Sequence, residues 1–206
     1  MNLDYLIPQE ILSLIQDDLL EIELELEGFA CQDRWPVVEF KVQEKIIFRG
    51  QVKNTLIIQH KERSNSAKVN LYLDYVNKTD NDTTVDDAGK IIENQKIEIK
   101  RWCINNMNIV KNNIIHSGIG QYTPNLSPQK YQYFVDNGLT TEPSTTLIMG
   151  ENGQWKIELE SPTTGFLLNK FYGKVPAHQQ FELDSIIKNV YETALTCQRL
   201  TGENNV

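Results

Sequence analysis

EIELELE, Glu21 to Glu27, decides how the chain is read. Ile22, Leu24 and Leu26 fall at every second position, and Glu21, Glu23, Glu25 and Glu27 fill the positions between them. Successive side chains of a strand point to opposite faces, so this period predicts a half-buried strand with an apolar inner face and a row of glutamates outside. Like charges at alternate positions of a strand repel unless water or a basic partner screens them. The four glutamates are therefore candidate partner-binding residues.

The period of two recurs along the chain. KVNLYLDYV (Lys68 to Val76) puts Val69, Leu71, Leu73 and Tyr75 on one face and Asn70, Tyr72, Asp74 and Val76 on the other. VVEFKV (37–42) and KIIFRG (45–50) flank a tight turn at Gln43-Glu44, and TLIIQH (55–60), IIENQKIEIK and RWCINNMNIV add further strands. LIMGENGQWKIELE reads as a hairpin about Asn152-Gly153, a favoured two-residue turn. Helical spacing appears at the two ends: Ile11, Leu12, Leu14, Ile15 and Leu19 after Pro8, and Phe181, Ile186, Ile187, Val190 and Leu195 near the C-terminus. TTGFLLNKFY predicts one more short helix. The expected fold is mainly β, an antiparallel sandwich of about seven to nine strands with a short N-terminal and a longer C-terminal helix. The expected division is a helix over 1–20, a sandwich over 21–172 with a long loop at 111–146, and a helix with a tail over 173–206.

The 206 residues carry a formal net charge of −8. An acidic surface repels phosphate, which disfavours nucleic acid and anionic membranes as partners. No apolar run is long enough to span a bilayer, and the N-terminus shows no basic region followed by an apolar stretch, so neither membrane insertion nor a signal peptide is expected. Cys31, Cys103 and Cys197 are odd in number and far apart, the pattern of reduced thiols rather than a disulfide frame.

The chemistry-bearing stretch is DNDTTVDDAGKII, Asp80 to Ile92. Asp80, Asn81, Asp82, Asp86 and Asp87 offer the oxygen ligands that calcium takes, without the spacing of an EF-hand. The same residues suit a turn whose side chains bond local backbone amides. His60, His116 and His178 show no metal-ligand spacing, and no nucleophile or phosphate-loop motif occurs. Glu98, Glu158 and Glu160 lie on predicted strands, where solvent-facing carboxylates are commoner than a glycosidase pair, and no enzyme activity is expected. Trp102 and Trp155 read as core. Trp35 at a strand entry, and Tyr122, Tyr131 and Tyr133 in the long loop, are the candidate ligand-binding aromatics.

NKTDNDTTVDDAGKIIENQKIEIKRWCINNMNI (77–109), GENGQWKIELESP (150–162) and FLLNK (166–170) together resemble a pattern in small β-sandwich proteins of tailed phages, particularly myoviruses of marine and cyanobacterial hosts. Asn105-Asn106 stands where that pattern commonly has an Asp-Gly turn. The resemblance implies a virion structural protein of the tail, baseplate or fibre apparatus, with other virion proteins as partners and the virion as its location. The layout is also similar to calcium-dependent carbohydrate-binding modules, which implies an antiparallel jelly-roll-like β-sandwich, calcium at the acidic loop and a host-surface polysaccharide as ligand.

Overall fold

The computed structural model describes residues 19–63, 66–161 and 163–172. Residues 8–18 of the helix expected over 8–20, and the whole of the one expected over 181–200, lie outside the described residues. The described chain is mainly antiparallel β. One sheet runs β11 (Ile148–Met149), β8 (Lys96–Ile104), β1 (Leu19–Phe29), β4 (Asn54–Arg63), with β9 (Met107–Asn108) also on β8. The other runs β10 (Gly120–Pro124), β12 (Gly153–Glu160), β5 (Lys68–Tyr75), β2 (Val37–Val42), β3 (Lys45–Gln51). β6 (Thr83–Val85) and β7 (Ile91–Asn94) form a separate two-stranded ribbon.

The glutamate-rich strand is β1, and its parity is as expected: Leu20, Ile22, Leu24 and Leu26 are fully buried while the glutamates between them are half-buried. Leu19 and Leu20, expected to close the N-terminal helix, belong instead to this strand, because Leu20 continues the inward parity of Ile22. Val69, Leu71, Leu73 and Tyr75 of β5 face inward as well. The two sheets meet through aromatics. Trp102 of β8 packs edge-on against Phe40 of β2, with ring centroids 6.2 Å apart, and against Trp155 of β12 at 6.5 Å. Edge-to-face pairs of this kind add to what burial alone contributes. The Asn105-Asn106 turn joins β8 to β9 with both residues at positive φ (48° and 64°), which asparagine tolerates better than most residues.

A bulge in β8 settles the fate of the glutamate row. Glu25 pairs with Arg101 but Leu26 pairs with Ile99, so Lys100 is an extra residue in the ladder. The bulge lets Ile97 and Ile99 face the core on one side of it and Trp102 and Ile104 on the other. It also leaves two consecutive cations outside. Lys100 Nζ lies 2.6 Å from Glu27 Oε2 and 2.8 Å from Glu98 Oε2, and Arg101 Nη1 lies 3.0 Å from Glu23 Oε1. Lys61 of β4 reaches Glu21 at 3.3 Å. Glu25 stands opposite Arg101 in the ladder.

Hydrogen bonds from Lys100 and Lys96 hold the Glu98 carboxyl below its ordinary value of 4.5. A depressed folded pKa means this stabilisation is present above that value and is lost as pH falls through the folded one. Glu98→Gln should therefore lower the unfolding free energy read from urea titration at neutral pH, by under about 1 kcal/mol for partly exposed ion pairs. The gap to wild type should close in strong acid, and a gap that persists there would contradict this assignment.

The expected hairpin about Asn152-Gly153 is not formed. β11 pairs with β8 in one sheet, and β12 pairs with β5 and β10 in the other, so the segment between them crosses from sheet to sheet. Gly153 does not have positive φ. It opens β12 where a Cβ would lie 2.5 Å from Thr123 O and 2.7 Å from the Tyr122 ring. Close approach, rather than turn geometry, requires the glycine. Gly153→Ala should cost about 1–3 kcal/mol by overpacking, read as a lowered melting temperature. The long loop expected over 111–146 holds β10 and a helix, α1 (Pro128–Asp136), capped by Ser127. The short helix expected after Pro162 is α2 (Thr163–Tyr172).

Candidate functional site

The outer face of the β10-β12-β5-β2-β3 sheet is a polar grid set by register. One row reads Gln121, Lys156, Tyr72, Lys41 across β10, β12, β5 and β2. The next reads Thr123, Gln154, Asp74, Glu39, Arg49. On the other side of Tyr72, Glu158 stands opposite Asn70. Tyr72 is thus a half-buried aromatic ring surrounded by amides and charges. The charges are tied down. Lys41 Nζ bridges Glu39 Oε1 at 2.6 Å and Asp74 Oδ2 at 3.0 Å, and Gln154 Nε2 donates to Asp74 Oδ1 at 2.7 Å. Lys156 Nζ lies 2.7 Å from Glu158 Oε1. These bonds raise the pKa of Lys41 and of Lys156, and the Lys156 bond lowers that of Glu158.

Beside Lys156 the face deepens into a cleft of about 330 Å³. His116, Gln121, Ser144, Thr145, Lys156 and Glu158 line it, with His116 Nδ1 2.8 Å from Thr145 Oγ1. Grid and cleft together offer an aromatic face, fixed carboxylate acceptors, and amide and ammonium donors. Glu39, Asp74 and Glu158 balance Lys41, Arg49 and Lys156, so the surface suits a neutral ligand rich in hydroxyls.

The acidic loop is split between two turns. Asp80–Asp82 is a short 3-10 turn and Asp86 opens the tip of the β6–β7 ribbon, with three extended residues between them, roughly 10 Å of chain. Asp82 is buried. Its Oδ2 accepts from Thr79 N and Thr79 Oγ1 at 2.6 and 2.7 Å, and its Oδ1 pairs with Arg34 at 3.1 Å. Asp86 Oδ1 accepts from the amides of Ala88 and Lys90, which is the local amide-bonding turn. Asp80 reaches Lys130 at 3.3 Å, and Asn81 and Asp87 are exposed. Among the described residues no three His, Cys, Asp or Glu gather as a metal site. The five loop residues are not gathered around one point: Asp82 is turned inward onto Arg34 and Thr79, Asp86 holds the amides of the ribbon tip, and β6 lies between them.

The chain matches no family model and no curated protein. Two solved structures show a weak likeness. One, "vCBM60 in complex with galactobiose", is 10% identical over 66% of this chain and 96% of that one, with a TM-score of 0.39. The other is the selenomethionine form of vCBM60, from "Circular permutation provides an evolutionary link between two families of calcium-dependent carbohydrate binding modules". It is 7% identical over 67% of this chain and 89% of that one, with a TM-score of 0.40. A likeness at this level places no residue of this chain and carries no argument about what it binds.

Of the aromatics the sequence nominates, Tyr122 is a correction. It is buried, and its hydroxyl donates to Glu151 O at 2.6 Å, so its ring is closed to a ligand. Tyr131 and Tyr133 are exposed on α1, Tyr133 against the Phe134 ring, and Trp35 is half-buried beside Asn77. None of these lies on the grid. Tyr72 is the aromatic that sequence reasoning misses, although its parity in KVNLYLDYV places it between Asn70 and Asp74 on the solvent side. Of Glu98, Glu158 and Glu160, weighed as a possible carboxylate pair, Glu98 stands on β8 of one sheet and the other two on β12 of the other.

Proposed function

We propose that the protein is a non-catalytic carbohydrate-binding module that takes a neutral glycan across the Tyr72 face and into the adjoining cleft. The observation that carries this reading is the register that surrounds one aromatic ring with alternating amides, carboxylates and ammonium groups. A pyranose presents C–H groups on its faces and hydroxyls around its rim. The Tyr72 ring meets the first, and Asp74, Gln154, Asn70 and the Lys156–Glu158 pair meet the second. Lys41, Lys156 and Gln154 are held by hydrogen bonds before the ligand arrives, which reduces the ordering cost of binding. A glycosidase acid needs a raised carboxyl pKa, whereas that of Glu158 is lowered. The glutamates offered to a basic virion partner already face Lys61, Lys100 and Arg101 of their own sheet, so the virion reading draws no support from them. Affinity electrophoresis tests the proposal. Migration should slow in gels containing neutral polysaccharide and should change little with a polyuronate. Unchanged migration in every neutral polysaccharide would overturn it.

A further inference from the structure

Lys78 stands just past β5, at the far end from the cleft, with its side chain 1% exposed. Its ammonium donates to Asn94 Oδ1, to Gln95 O at 2.9 Å and to Gly150 O, and Glu151 Oε1 lies 4.0 Å away. Three donors meet three acceptors, and a carboxylate stands behind them. The oxygens are fixed by other bonds. Thr83 Oγ1 donates to Asn94 Oδ1 at 2.8 Å, and the Gln95 side chain is held between the Tyr75 hydroxyl (2.7 Å) and Arg34 O (2.9 Å). The Asn152 side chain clasps the Lys78 backbone, accepting from its N–H and donating to its carbonyl, each at 2.8 Å. A buried lysine is unusual unless paired. An enclosure of backbone carbonyl, side-chain amide and carboxylate oxygens is what a hard cation selects.

We propose that this enclosure is a cation seat whose resident ion is the tethered Lys78 ammonium, and that it accepts a free cation once the tether is cut. The seat holds together β7, the Gly150–Asn152 crossing and the end of β5, and in the wild type it makes that junction independent of metal. Burial lowers the Lys78 pKa and Glu151 opposes that shift, as expected for a charge withdrawn from water against one anion. With one carboxylate, itself shared with Lys130, the emptied seat would hold calcium at millimolar strength.

The test is thermal melting of the whole chain. The wild type should melt at the same temperature in millimolar calcium and in chelator. Lys78→Ala leaves the oxygens unpaired and should melt about 10 °C lower. Millimolar calcium, or propylammonium matched to the deleted atoms, should recover at least half of that loss, and propanol should recover none. Recovery by either cation supports the proposal. An unchanged melting temperature for Lys78→Ala, failure of both cations, or a calcium-dependent wild type would overturn it. Should Lys78→Ala not fold in plain buffer, refolding from urea replaces melting: a yield raised by either cation supports the proposal, and a yield raised by neither overturns it.

Discussion

Trp155→Ala is expected to melt about 10–15 °C below the wild type, from a loss of about 3–5 kcal/mol. Trp155 is fully buried, packs edge-on against Trp102 of the facing sheet, and donates its Nε1 hydrogen to Thr146 O at 3.1 Å. Truncation removes one of the rings that join the two sheets and strands a carbonyl. Milder changes separate the two terms. Trp155→Phe keeps most of the packing but leaves Thr146 O without its donor. Trp102 Nε1 has no acceptor among the described residues, so Trp102→Phe removes an unpaired buried donor along with the ring volume. Trp155→Phe should therefore be the more costly of the two in urea titration. The reverse order would mean that the Trp102 indole N–H does find an acceptor.

The second large effect concerns binding. Tyr72→Ala should weaken glycan binding by about 2 kcal/mol or more, roughly thirtyfold in Kd, as truncating a central aromatic anchor does. It should leave the melting temperature within a few degrees, because the ring lies on the outer face of a sheet whose other face fills the core. Tyr133→Ala removes an equally aromatic and more exposed ring on α1 and should leave affinity unchanged. Titration calorimetry of both variants decides between grid and helix: loss of affinity in Tyr133→Ala with Tyr72→Ala unaffected would place the site on α1.

Much of the sandwich is legible in the sequence because alternation is a direct record of burial. β1 and β5 each bury one face, and their sequences show it residue by residue. The pattern fails where the backbone departs from strict period two. The bulge at Lys100 shifts parity within IEIKRWCI, so neither inward Trp102 nor the outward pair Lys100-Arg101 follows from counting by twos from Ile97. That bulge supplies two of the cations on the glutamate face, which is why those glutamates look unpartnered in the sequence. Asn152-Gly153 carries the letters of a hairpin turn, yet its glycine answers to a distant strand, Tyr122 and Thr123, which no local pattern reveals. The acidic loop looks like one cluster because five polar residues are close in sequence. In space β6 separates them, and long-range donors such as Arg34 and Lys130 decide their roles. Tyr72 is visible as an outward residue, but its significance comes from neighbours on β2 and β12 that only the sheet order brings together.

The most direct test of the glycan-binding reading is an NMR titration of the isotope-labelled protein with short neutral gluco-, galacto- and xylo-oligosaccharides. At least one series should shift the amides of Asn70, Tyr72, Asp74, Gln154 and Lys156 along a saturable curve, with Ser144 and Thr145 following at the cleft. Saturable shifts confined to α1 and the β6–β7 ribbon, or no saturable shift with any of the three series, would contradict it.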